Sequence, residues 1–395
     1  MREDPIVIVG MARTPMGGFQ GELADASGPE LGTAAIKGAL ADAGVKPEDV
    51  QEIIMGCVLQ HGQRQGPARQ AAIHAGIPMS AGATTINKLC GSGMKATMLS
   101  HDLLCAGSND VMVAGGFESM TNIPYMLPKG RGGLRMGHGE VLDAMFWDGL
   151  EDAYDRGKLM GHFAEATAEL YQFTREQQDE FAIRSLARAK KANEDGSFGR
   201  EMVPITVKGR KGEKTVSRDE QPFTANIEKI PTLRPAFSKE GTVTPANSSS
   251  ISDGAAALVL MRRSEAERRG LTPLVTIVAH STHSQEPKWF TTAPVGAMKT
   301  LFAKTGWTPD EVGLYEINEA FAVVTMAAMK EFNLSAEKVN VHGGACALGH
   351  PVGASGARIV ATLIAAMYKY DVKKGVASLC IGGGEATAMA FERAA

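Results

Sequence analysis

The chain carries a diluted copy of itself, and that repeat constrains the fold more than any other feature. Lys37-Gly-Ala-Leu-Ala-Asp-Ala-Gly44-Val-Lys-Pro47-Glu-Asp-Val50 matches Lys299-Thr-Leu-Phe-Ala-Lys-Thr-Gly306-Trp-Thr-Pro309-Asp-Glu-Val312. Each copy reads as a helix closed by Gly, with Pro just beyond it and an acidic pair following. Further on, Cys90-Gly-Ser92-Gly93-Met-Lys-Ala parallels Gly353-Ala-Ser355-Gly356-Ala-Arg, and Val111-Met-Val-Ala-Gly-Gly116-Phe-Glu118 parallels Leu379-Cys380-Ile-Gly-Gly-Gly384-Glu385. The separations are 262 residues from Lys37 to Lys299, 263 from Ser92 to Ser355 and 267 from Glu118 to Glu385. Three matches in one order predict two related halves.

Within each half, short β-branched runs alternate with amphipathic helices, which predicts an α/β fold with a largely parallel or mixed sheet. The 395 residues exceed what one small core organises. Residues 121–246 have no counterpart in the second half. They are rich in Pro, Gly and charge, include a long helix expected over about 161–195, and read as an inserted domain. The expected organisation is 1–120 with 247–270, the insertion 121–246, and 271–395. The insertion's basic runs, Lys129-Gly-Arg-Gly-Gly-Leu-Arg135 and Lys208-Gly-Arg-Lys-Gly-Glu-Lys214, are most simply solvated faces. Steering of an anionic, phosphate-bearing ligand is the functional alternative.

A net charge of −3 removes any general argument for nucleic-acid binding. No apolar run reaches the 18 or so residues of a membrane helix. The acidic start Met1-Arg2-Glu3-Asp4-Pro5 leads straight into Ile6-Val7-Ile8-Val9, which reads as a strand rather than a signal peptide, and Arg393-Ala394-Ala395 is not a peroxisomal tripeptide. Five scattered cysteines (57, 90, 105, 346, 380) argue against a disulfide framework. The expectation is a cytoplasmic protein with free thiols, each either core filler or chemistry.

Four short motifs carry the chemistry. Asn87-Lys-Leu-Cys90-Gly-Ser-Gly93 puts a thiol at a helix mouth, where the dipole and unpaired N–H groups favour thiolate. Its small-residue collar clears space for a substrate, whereas Cys105, among leucines, reads as core. The same glycines fit a dinucleotide G-x-G-x-x-A, with Glu118 downstream. The motif lies 90 residues into the chain, not on a first βα turn, so this reading ranks below a nucleophile. In Gly343-Gly-Ala-Cys346-Ala-Leu-Gly349-His350-Pro351-Val-Gly353-Ala-Ser-Gly356, His350 is held in a glycine-rich loop before a helix, a good place for a general base. Cys346 and His350 stand four apart but lack further ligands at matching spacing, so no zinc site is expected there. In Tyr315-Glu-Ile-Asn318-Glu319-Ala320-Phe321, Asn318 is either an N-cap or a holder of an oxyanion or water. Finally Ala377-Ser-Leu-Cys380-Ile-Gly382-Gly-Gly384-Glu385 ends a strand on a glycine turn, and the repeat brings Cys380 toward Cys90. Two thiols and one His suit a nucleophile with a separate proton carrier.

In this order, Asn-x-x-Cys-x-Ser-Gly, Asn-Glu-Ala-Phe, Gly-His-Pro-x-Gly-Ala-Ser-Gly-Ala-Arg and Cys-Ile-Gly-Gly-Gly resemble the thiolase family over essentially the whole chain, most closely its members acting on acetyl-CoA. The resemblance implies two duplicated α/β halves in a layered α-β-α-β-α core with an inserted loop domain that clasps coenzyme A and carries contacts of a homotetramer, a dimer of dimers. It implies reversible condensation of two acetyl-CoA to acetoacetyl-CoA plus CoA, or thiolysis of 3-ketoacyl-CoA. No metal or organic cofactor is implied, since coenzyme A is a substrate. By the same resemblance Cys90 is the acylated nucleophile, His350 its base, and Cys380 the acid/base at the acetyl α-carbon. His350 and a water held by Asn318 would form one oxyanion hole, and the Cys90 and Gly382 amides the other. Ser249, Phe237, Leu150, Leu159, Met160, Phe290, Ala320 and Phe321 would line the coenzyme A and acyl channel.

The chain also departs from the family pattern. Leu159 stands where relatives often carry His, Phe290 where acetyl-specific members often have Met, and Glu385 where Gln or a small residue is usual. Gln221-Pro-Phe-Thr lacks an Arg that some relatives place against adenine. The alternatives are a broader-chain thiolase, a decarboxylating ketosynthase, which would want a second His, a nicotinamide dehydrogenase, and a non-catalytic acyl-CoA-binding protein. The last should have lost Cys90 or His350, and both are present.

Overall fold

The computed structural model describes residues 4–210 and 212–393. Met1–Glu3, Lys211 of the second basic run, and the final Ala394-Ala395 lie outside the described residues. In the first half the principal elements are β1 (Ile6–Arg13), α1 (Gly28–Ala43), β2 (Glu52–Gly56), α2 (Pro67–His74), β3 (Gly82–Ile86), α3 (Ser92–Ala106) and β4 (Val111–Ser119). The intervening segment contributes α4 (Met160–Tyr171), α5 (Arg175–Glu194), β5 (Ile205–Gly209) and β6 (Gly212–Val216), after which β7 (Ser252–Arg262) returns to the first half. The second half comprises β8 (Val275–Ser284), α6 (Ala293–Thr305), β9 (Leu314–Ile317), α7 (Ala322–Phe332), α8 (Val352–Lys369), β10 (Lys374–Ile381) and β11 (Glu385–Arg393).

The repeated helix ends fold alike. Gly44 and Gly306 close α1 and α6 at φ 65° and 71°, the left-handed conformation that glycine adopts without a Cβ penalty. Prolines 47 and 309 then open short 3-10 turns, and Val50 and Val312 leave them with identical φ −79° and ψ 123°.

Sheet pairing repeats as well. In the first half β1, β7 and β4 run antiparallel to one another in turn, and β4, β2 and β3 are parallel. In the second, β8, β11 and β10 alternate and β10 pairs parallel with β9. Where the first half has β3, the second keeps a single parallel bridge, Tyr315 to Val339. Two register positions, Val7 with Thr276 and Ile8 with Val275, join the halves into one continuous mixed sheet in the order β9-β10-β11-β8-β1-β7-β4-β2-β3.

Three cores separate five layers. One lies between α1, α2 and the first half's strands, one between both sets of strands around α3 and α8, and one against α6 and α7. This is the layered α-β-α-β-α arrangement. The central helices touch almost backbone to backbone: a Cβ on Gly93 would stand 2.8 Å from the Ala357 nitrogen, and one on Gly356 only 2.3 Å from the Met94 nitrogen. Gly93 therefore serves helix packing, with the other half seated over it. That disposes of the dinucleotide reading, which needs this approach for a pyrophosphate.

Two expectations need correction. The long helix over 161–195 is two helices, broken where Gln172 turns left-handed at φ 57° and Thr174 starts α5 with a reciprocal Thr174–Gln177 capping box. The match of Glu118 to Glu385 is also displaced, because Glu118 lies within β4 whereas Glu385 already opens β11. The tight turn Gly382–Gly384 joins β10 to β11, and the whole segment between β4 and β7 replaces it in the first half.

Substitution of Gly356 by Ala should cost stability on the overpacking scale, about 1–3 kcal/mol or more, because the clash is with backbone. Gly132→Ala, with nothing within 4 Å of the added methyl, should leave the denaturation midpoint unchanged. Equal midpoints for the two variants would remove the close helix crossing as a constraint.

Candidate active site

Each central helix presents its N-terminus to the same region. Cys90 precedes α3 and His350 precedes α8. The Cys90 loop is tied by its own motif: Asn87 Oδ1 accepts from the Leu89 amide at 2.9 Å, the Lys88 amide donates to Ser92 Oγ at 2.8 Å, and Ser92 Oγ donates to the Leu89 carbonyl at 2.7 Å. These bonds hold Leu89 at φ 46°, a left-handed conformation costing a non-glycine residue roughly 1–2 kcal/mol. The strain sits beside the nucleophile candidate. Lys88 reaches across to pair with Glu385 of the second half.

The Gly382 amide, on the turn after Cys380, and the amide of Cys90 itself both donate toward the Cys90 sulfur. Burial, and after it the nearby Cys90 sulfur, push the Cys380 thiol well up from its ordinary value. The two thiols and the Gly382 turn therefore share one site. Burial pushes Cys90 up to about 11, against the lowering by those two amides, with Glu118 adding to the rise. This corrects the expectation of a resting thiolate, since desolvation outweighs the helix mouth. His350 is lowered to about 3 by burial and by the nearby Arg358 charge. At rest the site holds a thiol and a neutral imidazole.

Ser355 Oγ contacts His350 Nδ1 at 2.5 Å and donates to the Pro351 carbonyl at 3.0 Å, so it accepts the Nδ1–H. That tautomer leaves Nε2 as the acceptor, and Nε2 has no protein hydrogen-bond partner among the described residues. Asn318 is held in the same manner. The buried Arg358 guanidinium donates to its Oδ1 at 3.4 Å, and its Nδ2 is likewise without a protein partner. A basic nitrogen and an amide donor are thus both uncommitted within a buried polar site, which suits reversible proton and oxyanion traffic.

Sequence reasoning missed the groups that fix these loops. Glu118, fully buried, accepts from the amides of Val58 at 2.9 Å, Leu59 at 3.1 Å and Gly353 at 3.0 Å, clamping the His350 loop to the first half. Burial raises it to about 7 in spite of those bonds. Glu319 accepts from Ser185 Oγ, Asn340 Nδ2 and the Cys346 amide, so it holds the loop before His350 rather than facing substrate. Gln221 bonds Ser250 and Ser252, and the Ser250 carbonyl accepts from the His350 amide at 3.2 Å. The segment without an adenine-facing Arg therefore braces the His350 loop instead.

The expected channel residues fall on two apolar walls. Met160, Phe237, Phe290, Ala320 and Phe321 cluster with Cys380 and Phe163, while Leu150 packs with Leu89, Cys90 and Val352. Ser249 lies between, its amide bonded to the Ala320 carbonyl at 2.9 Å. Leu159 belongs to neither wall and instead caps α4, bonded to His162. A cavity of about 1090 Å³ opens against α4 and is lined by His162, Phe163 and Ser238 among others. None of Cys90, His350, Cys380 and Asn318 lines it. His162, the third residue of α4, faces Phe237 edge-on at 5.8 Å.

Two related α/β halves that bring a thiol at a helix mouth, a second thiol on a glycine turn and a loop-held histidine to one place define a class of enzyme built for acyl chemistry on cysteine. Residues 6–264 match the thiolase N-terminal domain and residues 271–393 the thiolase C-terminal domain, and the chain belongs to the thiolase family. It is 48% identical to an acetyl-CoA acetyltransferase of Cupriavidus necator over 98% of this chain and 99% of that protein. It is 49% identical to acetyl-CoA acetyltransferase 2 of Arabidopsis thaliana over 98% of this chain and 96% of that one. The crystal structure of the Bacillus anthracis acetyl-CoA acetyltransferase superposes with a TM-score of 0.96 at 41% identity, covering 99% of both chains.

The raised thiol makes a direct forecast. Alkylation of Cys90 by iodoacetamide, followed by peptide mass, should climb about tenfold per pH unit from roughly pH 7 to 10, because only thiolate reacts. A plateau below about pH 8 would mean the thiolate is already formed at rest.

Proposed function

We propose that this chain is an acetyl-CoA acetyltransferase, interconverting two acetyl-CoA with acetoacetyl-CoA plus CoA through an acetyl-Cys90 intermediate. The observation that carries the reading is the convergence of the Cys90 and Gly382 amides on the Cys90 sulfur with the Cys380 thiol alongside. His350 Nε2 takes the Cys90 proton as the sulfur attacks the thioester carbonyl, and the departing CoA thiolate takes the proton of Cys380, which leaves Cys380 as the thiolate and His350 as imidazolium until it returns its proton to Cys90 at the end of the cycle. The acetyl group is stored as a thioester at little free-energy change. Cys380 then removes a proton from the methyl of a second acetyl-CoA. The enolate, its oxygen stabilised by His350 and by a water on Asn318 Nδ2, attacks the acetyl carbon, whose oxyanion receives the Cys90 and Gly382 amides. Cys90 leaves as thiolate and is reprotonated. The scheme uses no metal or organic cofactor.

The inserted segment 121–246 serves as the coenzyme A clasp in this reading, with 1–120 plus 247–270 and 271–395 as the two catalytic halves. Exposed Leu127, Leu134, Met136 and Val141 on its arm support a role in subunit contacts, in keeping with a homotetramer. Among the described residues no helix is long and apolar enough to cross a membrane, and we place the enzyme in the cytoplasm. Phe290, buried against Phe163 at 6.3 Å and in the cluster holding Cys380, supports a preference for short acyl chains over a broader-chain thiolase.

Two measurements test the assignment. Incubation with acetyl-CoA alone should add one acetyl mass to the Cys90 peptide; label on Cys57, Cys105 or Cys346 would overturn it. Cys380→Ser should still take that label yet lose condensation and exchange of acetyl-CoA methyl protons with deuterated water, by roughly 10²–10⁴-fold, since a hydroxyl's high pKa makes it a poor base. Near-parental exchange would leave Cys380 structural. For chain length, parental kcat/KM should fall by roughly 10–200-fold per added methylene pair clashing with Phe290, and Phe290→Ala should narrow that gap. Equal parental activity on four- and eight-carbon ketoacyl-CoAs would contradict the short-chain reading.

A further inference from the structure

At the end of α3 remote from Cys90, two residues of the first half meet one of the second. Asp102 Oδ1 lies 2.9 Å from His101 Nδ1 and 2.9 Å from His280 Nε2 on β8, and the two imidazoles meet edge to face with centroids 5.0 Å apart. One donor atom from each residue lies within 4.8 Å of the other two, and among the described residues this is the one set of three or more His, Cys, Asp or Glu side chains that converges in this way. At 1.5 Å rise per residue, the helix separates His101 from Cys90 by roughly 15 Å, and none of the three enters the acyl-transfer scheme. A separate cavity of about 290 Å³ opens beside them, lined also by Pro5, Thr276 and Lys304.

We propose that His101, Asp102 and His280 form a binding site for a divalent ion of the zinc class, clamping the C-terminal part of α3 to the first strand of the second half. Two imidazole nitrogens and one carboxylate oxygen are a donor set that zinc takes, whereas magnesium and calcium call for oxygens throughout. Bonds of about 2.0–2.2 Å in tetrahedral geometry set neighbouring donors about 3.3 Å apart, so the present 2.9 Å contacts need open only by a few tenths of an ångström. The cavity leaves the remaining position to water. The Lys304 ammonium lines the same cavity but is turned to the His280 carbonyl at 2.9 Å, on the solvent side. Because the ligands come from two halves, only the folded chain assembles the site, and a bound ion stabilises that state by mass action.

The test uses full-length protein stripped with EDTA, returned to buffer, given ZnCl2 and desalted. It should retain one zinc per chain by atomic emission and melt several degrees higher than the stripped protein. His280→Ala and the near-isosteric, surface-placed Asp102→Asn should lose both the retained zinc and the rise in midpoint, while keeping parental turnover and the parental midpoint in EDTA. A parent that retains no zinc, or two variants that retain it in full, overturns the site. Zinc released on alkylating Cys90, together with inhibited turnover, would place the ion on the catalytic thiols and overturn it equally.

Discussion

The active centre depends on one packing constraint, the glycine-to-backbone crossing of α3 and α8. With Gly93 against Ala357 and Gly356 against Met94, the helices approach more closely than any side chain at those positions permits. The residues just before the two helices, Cys90 and His350, are brought to the same end as a consequence. The crossing lies between the two sets of strands, where the central core surrounds it, so neither helix can slide without opening apolar surface. Duplication thus explains why Cys90 and His350, the nucleophile and base of the proposed reaction, come from different halves. Each half supplies one helix mouth, and the pseudo-symmetric crossing superposes them.

Buried charge secures the inserted segment to this frame. Arg13, fully buried on β1, forms a bidentate pair with Asp219 at 2.7 and 3.0 Å and also pairs with Glu201, which accepts from Thr362 of α8 at 2.9 Å. Removing one member of such a group strands an uncompensated charge at a cost of about 3–5 kcal/mol. Arg358 continues the network on α8, pairing with Glu316 at 3.5 Å and orienting Asn318. The segment 121–246 is therefore locked to the helix that follows His350.

How much of this was legible depended on whether the signal was local. Cys90, His350, Cys380 and Gly382 announce themselves because glycines beside a reactive group mark a turn or a helix mouth in the sequence itself. The halves were legible because Gly44 and Gly306 cap helices by a conformation that few residues adopt. Glu118 was not, since its three amide partners come from positions 58, 59 and 353, and nothing near Glu118 marks them. Ser355 and Arg358 stood within the quoted motif, yet their action on His350 and Asn318 depends on how α8 packs. The break at Gln172 was missed because one apolar period runs through it, although the Thr174-x-x-Gln177 pattern is a readable start signal. The raised Cys90 thiol was illegible in principle. A helix mouth can be inferred from sequence, but the burial that outweighs it is a tertiary property.

That burial accounts for the chemistry the site favours. Desolvation raises both thiols and lowers His350, so all three groups are neutral before substrate arrives, and no ion pair has to be maintained among apolar walls. A neutral Cys90 is a weak nucleophile and a poor target for oxidants, which suits the part proposed for it, waiting for a thioester. In the proposed reaction charge then develops only as the steps proceed, first on the carbonyl oxygen and then on the enolate. The donors available to meet it are the Gly382 and Cys90 amides and the uncommitted Asn318 Nδ2, all set in place before substrate binds by bonds to other groups. Preorganised donors in a low-dielectric site stabilise such charge without reorganising.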